Sequence, residues 1–427
     1  MIALYMLAGA GFYLFAWQII RNRFSALSVG LLFVIGLLLR LGFFNTPAIL
    51  EIDFNRYFWD GAMTAHGLDP YQYSPQEIMD FKVEDDAVPK ELLSLRQEGA
   101  ETLSRINFPE IRTIYTPLVQ MAFAAAYRLQ PYRLWSWRLI LLLVDLLNFY
   151  LLLKILLKNG RPKEWAGIYW LNPLVIKEIF NSGHMDILIF PFLLGAILFA
   201  LHSRPWRSGV MLGLAASVKI WPLLLFPFLG AYFKNHRKEM LRFFIAAVLL
   251  FVLLIAPLFL HGLDAGSSVK NYSQRWENND AAFQIIHFGW KTVLPLMQVH
   301  PGHAQKAARL MVGALVLLIG FILWQKREME IPEKMLWLIA AVFLLSPTAF
   351  PWYAVWIMPL LAICPRKELL LLVVLLPLYY SRYYFESVGR LDIFTGAVVW
   401  IEFLPVWILI AWERQTKRKL RKVANHV

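Results

Sequence analysis

The sequence predicts an all-α polytopic integral membrane protein with about 11–13 transmembrane helices. Of its 427 residues, 59% are hydrophobic and 17% are charged, whereas soluble domains are about 45–50% apolar and about 25% charged. The mean hydropathy is +0.53, and apolar segments long enough to cross a bilayer recur along the chain. These observations exclude a soluble enzyme and a disordered chain.

Transmembrane helices are predicted where about 20 mostly apolar residues follow one another. The clear candidates are 2–20, 26–43, 137–157, 164–182, 185–201, 241–260, 307–325, 335–350 and 393–412. Segments 351–364 and 368–385 are shorter or more broken. Segment 208–233 is predicted as two short helices, because Pro222 breaks a helix and Lys219 is costly at the bilayer centre.

The charge distribution predicts the orientation in the membrane. The formal net charge is +13, and Lys and Arg cluster in the short loops and in the C-terminal tail. Positive loops face the cytoplasm, which places the N-terminus outside and the C-terminus inside. The first apolar segment is not expected to be a cleaved signal peptide, since its positive charges follow it. The single cysteine, Cys364, excludes an internal disulfide and a Cys-based metal site.

Two long loops, 44–136 and 261–306, are then predicted outside the cytoplasm, within a single membrane-embedded domain that covers 1–427. Between residues 44 and 115 there are 13 Asp and Glu against 6 Lys and Arg. An acidic outer loop excludes nucleic acid as a partner. Segment 116–130 is too short to cross comfortably and predicts a helix that lies on the outer leaflet.

The first loop opens with a dense group of polar and aromatic residues at 51–75. Asp53 and Asp60 are seven apart and would share one face of a helix, while Arg56 and Asp60 are four apart and can pair. A carboxylate framed by Arg and aromatic side chains at the membrane surface can act as a general base on a polar acceptor. The alternative is a solvated helix with an ordinary salt bridge.

Further polar residues stand at predicted outer edges of the membrane. His184 and Asp186 invite a metal hypothesis, but two ligands two apart are a weak signal, and a hydrogen-bonded turn explains them as well. Lys219 can bind an anionic lipid phosphate or extend to the interface. Trp352 and Tyr353 fit an interfacial aromatic belt.

Two other polar segments have simpler interpretations. Asp145 and Asn148, inside an apolar helix, predict a polar contact between helices. The second loop contains Asn, Asp and Trp at 273–291. That composition suits a cap that selects an acceptor and suits a solvated loop equally.

In order along the chain, these motifs resemble the GT-C superfamily of membrane glycosyltransferases, and most closely the bacterial polyprenyl-phosphate-dependent mannosyltransferase-like proteins. The family patterns are D-x-x-R-Y-x-x-D-G, G-x-x-P-Y, Y-P-P-L, N-P…G-H-x-D, K-x-x-P and P-W-Y. The matching residues are Asp53, Arg56, Tyr57, Asp60, Gly61, Gly67, Pro70, Tyr71, Tyr115 to Leu118, Asn172, Pro173, Gly183, His184, Asp186, Lys219, Pro222, Pro351, Trp352 and Tyr353. Thr116 stands where the family has a proline.

The resemblance implies a helical fold with a catalytic pocket between the first outer loop and the membrane-embedded bundle. It implies inverting transfer of one sugar, with mannose favoured, from a polyprenyl-phosphate donor to a glycan, glycolipid or protein acceptor outside the cytoplasm. The membrane would be a bacterial inner or plasma membrane, and the scheme requires no metal or cofactor. Asp53 matches the family's catalytic base, while the second carboxylate, Asp60, keeps that assignment open.

The scheme assigns a role to each predicted site residue. Lys219, and after it Arg56 or Arg382, would supply positive charge to the departing phosphate. The predicted substrate pocket contains Tyr57, Trp59, Tyr115, His184, Asp186, Trp352 and Tyr353.

Two other functions compete with this one. A secondary transporter or lipid-linked sugar flippase would place Lys219, Asp145 and His184 along a translocation path. Transporters often contain repeats with interrupted helices in both halves, and no second half of that kind is evident in the sequence, which favours the enzyme. A non-catalytic scaffold would function unchanged after Asp53→Asn.

Overall fold

The computed structural model describes residues 1–21, 28–82, 88–260 and 277–424. This part of the chain is 78% helical and contains no strand. Six of its helices are long and apolar enough to cross a membrane, and a seventh crossing results if one bent helix pair is a single span. The chain is therefore an all-α multi-pass membrane protein, which confirms the predicted fold class.

The long apolar helices coincide with predicted spans. They are Ile2–Ile20, Leu134–Lys158, Arg237–Leu260, Pro301–Gln325, Lys367–Ser387 and Leu391–Thr416, and the bent pair is Pro173–Asn181 with Met185–Leu201. Shorter apolar helices cover Val29–Leu41, Trp221–Phe233 and Pro351–Ile363. The count of 11–13 crossings depends on how such short and bent helices sit in a bilayer, so it stays a prediction.

Segment 208–233 is divided as predicted. The helix Pro205–Val218 ends at Lys219, whose backbone is extended, and a second helical segment covers 221–233. Pro222 lies in the first turn of that second segment, where its missing N–H costs no helical hydrogen bond.

The described residues form two compact units. The first-loop unit comprises Phe33–Ala166 and Val175–Trp276, and the C-terminal unit comprises Met1–Leu32, Gly167–Leu174 and Glu277–Val427. Each unit is described separately below, and the single domain over 1–427 stays a prediction.

Helices of different kinds build the first-loop unit. The α-helices, including one that begins before the unit, are Val29–Leu41, Phe54–Ala65, Pro75–Asp80, Lys90–Glu98, Ala100–Ser104, Pro117–Leu129, Leu134–Lys158, Phe190–Leu201, Pro205–Val218, Phe226–Gly230 and Arg237–Leu260. Short 3-10 helices cover Lys163–Ala166, Met185–Ile189, Trp221–Leu225 and Ala231–Phe233, and a π-helix covers Ile176–Asn181.

Two buried arginines connect helices within this unit. Arg40 Nε lies 2.7 Å from Asp145 Oδ2, and both side chains are fully buried. Asp145 therefore makes the interhelical contact that the sequence predicts. Arg138 donates to the carbonyl groups of Phe43, Phe44 and Thr46, which follow the helix Val29–Leu41. It thereby ties the turn that follows this helix to the helix Leu134–Lys158.

The first outer loop has a hydrophobic core of its own. Its buried members are Trp59, Ala62, Met63, Ile78, Val88, Leu92, Leu95, Leu103 and Ile106. The helix Phe54–Ala65 packs closely against Pro117–Leu129 at Gly61, where a Cβ atom would lie 2.5 Å from the Phe123 carbonyl oxygen. The helix predicted over 116–130 is thus present, and its position on the outer leaflet stays a prediction.

The C-terminal unit is also helical where it is described. Its helices are Ile2–Ile20, Gly167–Trp170, Pro173–Val175, Ala281–Leu296, Pro301–His303, Ala304–Gln325, Ile331–Leu345, Pro351–Ala354, Val355–Ile357, Met358–Ile363, Lys367–Leu375, Leu376–Tyr380, Ser381–Ser387, Leu391–Ile393, Phe394–Val398 and Val399–Ala424. Asn279 donates to Glu402 Oε2 at 2.8 Å and to the Ala349 carbonyl at 3.0 Å. Of the second predicted loop, 261–276 lies outside the described residues.

Candidate active site

Asp60 is held by three hydrogen-bond donors. Its Oδ1 lies 2.9 Å from Arg56 Nε, and its Oδ2 accepts from Thr113 Oγ1 at 2.5 Å and from Gln120 Nε2 at 3.2 Å. The carboxylate is 2% exposed. A buried charge needs such partners, because an unpaired one is costly. Asp60 therefore fastens the helix Phe54–Ala65 to the chain before and within Pro117–Leu129.

Asp53 occupies a different environment at the N-terminus of the same helix. In the described part of the chain its Oδ1 accepts a hydrogen bond from Asn107 Nδ2 at 3.2 Å, and its Oδ2 lies 4.0 Å from His184 Nδ1. Its side chain is 34% exposed. Enclosure by protein raises the pKa of the Asp53 carboxyl, and the Asp186 carboxylate adds to this, while Asn107 and Lys219 act in the opposite direction.

The break in the bent helix pair brings charged residues to one turn. The π-helix Ile176–Asn181 ends there, and Gly183 has a φ of +78°, which an L side chain rarely adopts. Trp137 Nε1 donates to the Gly183 carbonyl at 2.7 Å and holds the turn. Such π segments often occur at functional sites because they redirect side chains.

Behind Asp53 lies a row of three titratable side chains, of which two are buried and one is 13% exposed. His184 is 1% exposed, and its Nε2 lies 3.9 Å from Glu178 Oε2. Lys177 Nζ lies 3.4 Å from the same carboxylate oxygen and donates to Ser182 Oγ at 2.9 Å. We call His184, Glu178 and Lys177 the buried charge row. Its two new members, Lys177 and Glu178, were not predicted as site residues, although adjacent charges inside an apolar segment are a usable signal.

Lys219 is paired with Asp186 through a contact of 2.5 Å between Nζ and Oδ1. The Lys219 side chain is 23% exposed and the Asp186 side chain 2%. Thr116 Oγ1 donates to the Ser217 carbonyl at 2.6 Å, so the Y-x-P-L element is fastened to the helix that presents Lys219. The positive charge of Lys219 partly offsets the effect of burial, which raises the pKa of the Asp53 carboxyl.

Aromatic rings pack beside this group. Tyr57 stacks on Phe123 with ring centroids 4.7 Å apart, and Tyr115 meets Tyr57 edge to face at 5.4 Å. Trp137 contacts both Tyr57 and Phe123. Tyr57 is 3% exposed, so this cluster mainly stabilises the wall behind the site.

Two predicted site residues pack within the first loop. Trp59 is 2% exposed and belongs to the core of that loop, and its predicted place in the substrate pocket stays a prediction. Arg56 is 13% exposed, and its guanidinium is engaged by Asp60 and by the Ile111 carbonyl at 2.8 Å. These contacts hold the loop, and the predicted role of Arg56 towards a phosphate stays a prediction.

The remaining predicted residues belong to the C-terminal unit. Trp352 stacks on Phe350 with centroids 4.3 Å apart, and Tyr353 stacks on Trp356 at 4.6 Å. Arg382 is partly buried on the helix Ser381–Ser387. Their predicted roles at the substrate stay predictions.

Comparison with known proteins supports an enzymatic function. Residues 1–235 match the family model described as alpha-(1->6)-mannopyranosyltransferase, N-terminal domain, of the MptA_B family. The match spans more than half of the chain and includes Asp53, His184 and Lys219. Searches of the curated proteins and of the solved structures give no match. The chain belongs to this alpha-(1->6)-mannopyranosyltransferase family and is a mannosyltransferase-like membrane glycosyltransferase.

Proposed function

We propose that this protein transfers one mannosyl group from a polyprenyl-phosphate mannose donor to an acceptor outside the cytoplasm, with Asp53 as the general base. The acceptor is a glycan, a glycolipid or a protein, and the membrane is a bacterial inner or plasma membrane. The assignment of the base rests on the difference in exposure and hydrogen bonding between the Asp53 and Asp60 carboxylates. Asp53 is one-third exposed with few partners, whereas Asp60 is buried and accepts three side-chain hydrogen bonds.

In the proposed reaction the proton of the acceptor hydroxyl passes to an oxygen of Asp53. The acceptor oxygen then forms a bond to the anomeric carbon on the face opposite the phosphate. The bond between that carbon and the phosphate oxygen breaks, and its electron pair leaves with the lipid phosphate. One displacement inverts the configuration, so a single base suffices.

The leaving group sets the electrostatic requirement. A lipid phosphate departs as an anion, and a nearby fixed cation stabilises the charge that develops on it. Lys219 is partly exposed and is held by Asp186, which restricts where its ammonium can lie. This support makes Lys219 the first candidate to bind the departing phosphate, and Arg382 stays a further candidate for that role.

The buried charge row supports the base from the other side. His184 faces Asp53 with Nδ1 and faces Glu178 with Nε2. Because His184 and Glu178 are buried and Lys177 is only 13% exposed, the row limits the movement of the Asp53 carboxylate towards the interior. Orientation of a base within about 1 Å is worth up to about 10²-fold in rate.

The test is sugar transfer by the purified full-length protein, with radiolabelled polyprenyl-phosphate mannose and cell-envelope glycan as acceptor. We expect Asp53→Asn to lower kcat by about 10²- to 10⁴-fold while donor binding persists, since a general base contributes that much. Asp80→Asn is the matched control, because Asp80 is an exposed carboxylate in the same loop.

Three results would contradict parts of the proposal. Full activity of Asp53→Asn would remove Asp53 as the base. Transfer from a glucose or galactose donor in place of mannose would change the sugar. Movement of labelled lipid across vesicles without any transfer would favour the flippase alternative.

A further inference from the structure

An exposed aromatic residue stands on a strained turn beside Asp53. Phe108 has a φ of +53°, and 52% of the residue is exposed. A bulky residue in this left-handed region is unusual and costs free energy, so it persists only where the surroundings impose it. Outliers of this kind cluster at binding sites.

Hydrogen bonds hold the turn on both sides. Gln76 N donates to the Pro109 carbonyl at 2.8 Å, and Ile111 N donates to the Phe108 carbonyl at 3.1 Å. Arg56 Nη1 donates to the Ile111 carbonyl at 2.8 Å. The same guanidinium is fixed by Asp60. The backbone that presents Phe108 is therefore connected to the buried Asp60 network.

The turn is also in direct contact with the proposed base. Asn107, the residue before Phe108, donates from Nδ2 to Asp53 Oδ1 at 3.2 Å and is itself exposed. Consecutive Cα atoms are about 3.8 Å apart. Phe108 is thus an exposed residue one position along the chain from the group that binds the Asp53 carboxylate.

We propose that Phe108 is a binding subsite for the acceptor sugar. The C–H face of a pyranose ring stacks on its phenyl ring, and Asn107 helps to direct an acceptor hydroxyl towards Asp53. The acceptor is then a pyranosyl residue of a glycan or glycolipid and not a protein side chain. An aromatic ring suits this partner because it covers apolar area at little conformational cost. This inference rests on the proposed transferase function.

The test uses steady-state transfer with the acceptor varied at saturating donor. We expect Phe108→Ala to raise the acceptor KM about 3- to 10-fold, which corresponds to the usual strength of one aromatic contact. The donor KM, kcat at saturating acceptor and slow donor hydrolysis by water stay unchanged. Phe108→Tyr retains the ring and keeps the acceptor KM of the wild type.

A control variant tests whether the loss of any exposed apolar side chain, and not only of a stacking ring, raises the acceptor KM. Met121 is 66% exposed on the helix Pro117–Leu129, and Met121→Ala is expected to leave the acceptor KM unchanged. Phe108→Gly removes the ring and relieves the positive φ. It should raise the acceptor KM as Phe108→Ala does, with a thermal midpoint at or above that of the wild type.

An unchanged acceptor KM in Phe108→Ala would overturn the subsite. So would a lower thermal midpoint in Phe108→Gly together with a fall in kcat, because the ring would then serve the fold. Failure of the proposed function looks different: wild type would transfer no sugar, or Asp53→Asn would transfer as well as wild type. The proposal for Phe108 is tested only by comparing the acceptor KM of variants that still transfer sugar.

Discussion

Two carboxylates of one short helix, Phe54–Ala65 with its N-cap residue, are in opposite situations. In the middle of the helix, Asp60 accepts hydrogen bonds from Arg56, Thr113 and Gln120 and is almost inaccessible. At the N-terminus, Asp53 accepts a hydrogen bond from Asn107 in the described part of the chain and is one-third exposed. A carboxylate has room for about four hydrogen bonds. The difference teaches that spare accepting capacity, more than position in a motif, distinguishes a candidate base from a structural acid.

Among the variants that test this difference between Asp53 and Asp60, Asp60→Asn is expected to have the largest effect. The introduced amide has no charge, so it leaves the largely buried Arg56 guanidinium without a counter-charge. We therefore expect the free energy of unfolding to be about 3–5 kcal/mol lower than in wild type. Thermal denaturation of the purified protein in detergent measures the loss. Protein that remains folded should retain donor binding. A variant with normal stability and no transfer would instead make Asp60 the base.

The buried charge row offers a second test of the Asp53 end. Glu178→Gln removes the charge that faces His184 and Lys177. We expect kcat to fall by about 10²-fold through misplacement of Asp53, with little change in the donor KM. Glu101→Gln is the control, because Glu101 forms an exposed ion pair with Arg105. Wild-type kcat in Glu178→Gln would show that the row does not position the base.

The smallest effect is expected on the pH dependence of transfer. Asp53 must be ionised to accept a proton, so kcat/KM should rise with pH through its raised pKa. The Asn107 hydrogen bond favours the ionised form and lowers that pKa. Asn107→Ala should therefore raise the pKa further and move the acid limb to higher pH.

The matched control for that shift is Phe108→Ala, which keeps the hydrogen bond to Asp53. Its pH profile should coincide with that of wild type even if its acceptor KM is higher. A profile of Asn107→Ala that is unmoved, or moved to lower pH, would contradict the assignment of the acid limb to Asp53.

Several features were predictable because they depend on local chemistry. Long apolar segments gave the all-α membrane fold, and Lys219 followed by Pro222 predicted the break in 208–233. A lone Asp145 in an apolar helix predicted a polar partner on another helix. Segment 116–130 predicted a helix. Each of these follows from residues within one continuous segment of the chain.

Other features depended on partners that are distant in sequence. Trp59 and Arg56 stand in the motif beside Asp53, yet they point into the loop core and towards Asp60. Helical periodicity places Asp53 and Asp60 on one face and says nothing about what covers each. Lys177 and Glu178 become site residues only because the π-helix and Gly183 turn them towards His184.

By itself, the sequence determined that this chain is a membrane protein and to which family it belongs. Apolar content and the order of motifs are properties of the chain alone. The tertiary structure decided which carboxylate is available. Asp60 meets Thr113 and Gln120, which lie 53 and 60 residues away, and Asp53 meets Asn107, 54 residues away. Exposure and hydrogen bonding arise only when such distant segments pack, and these two quantities distinguish the candidate base from the residue that holds the loop.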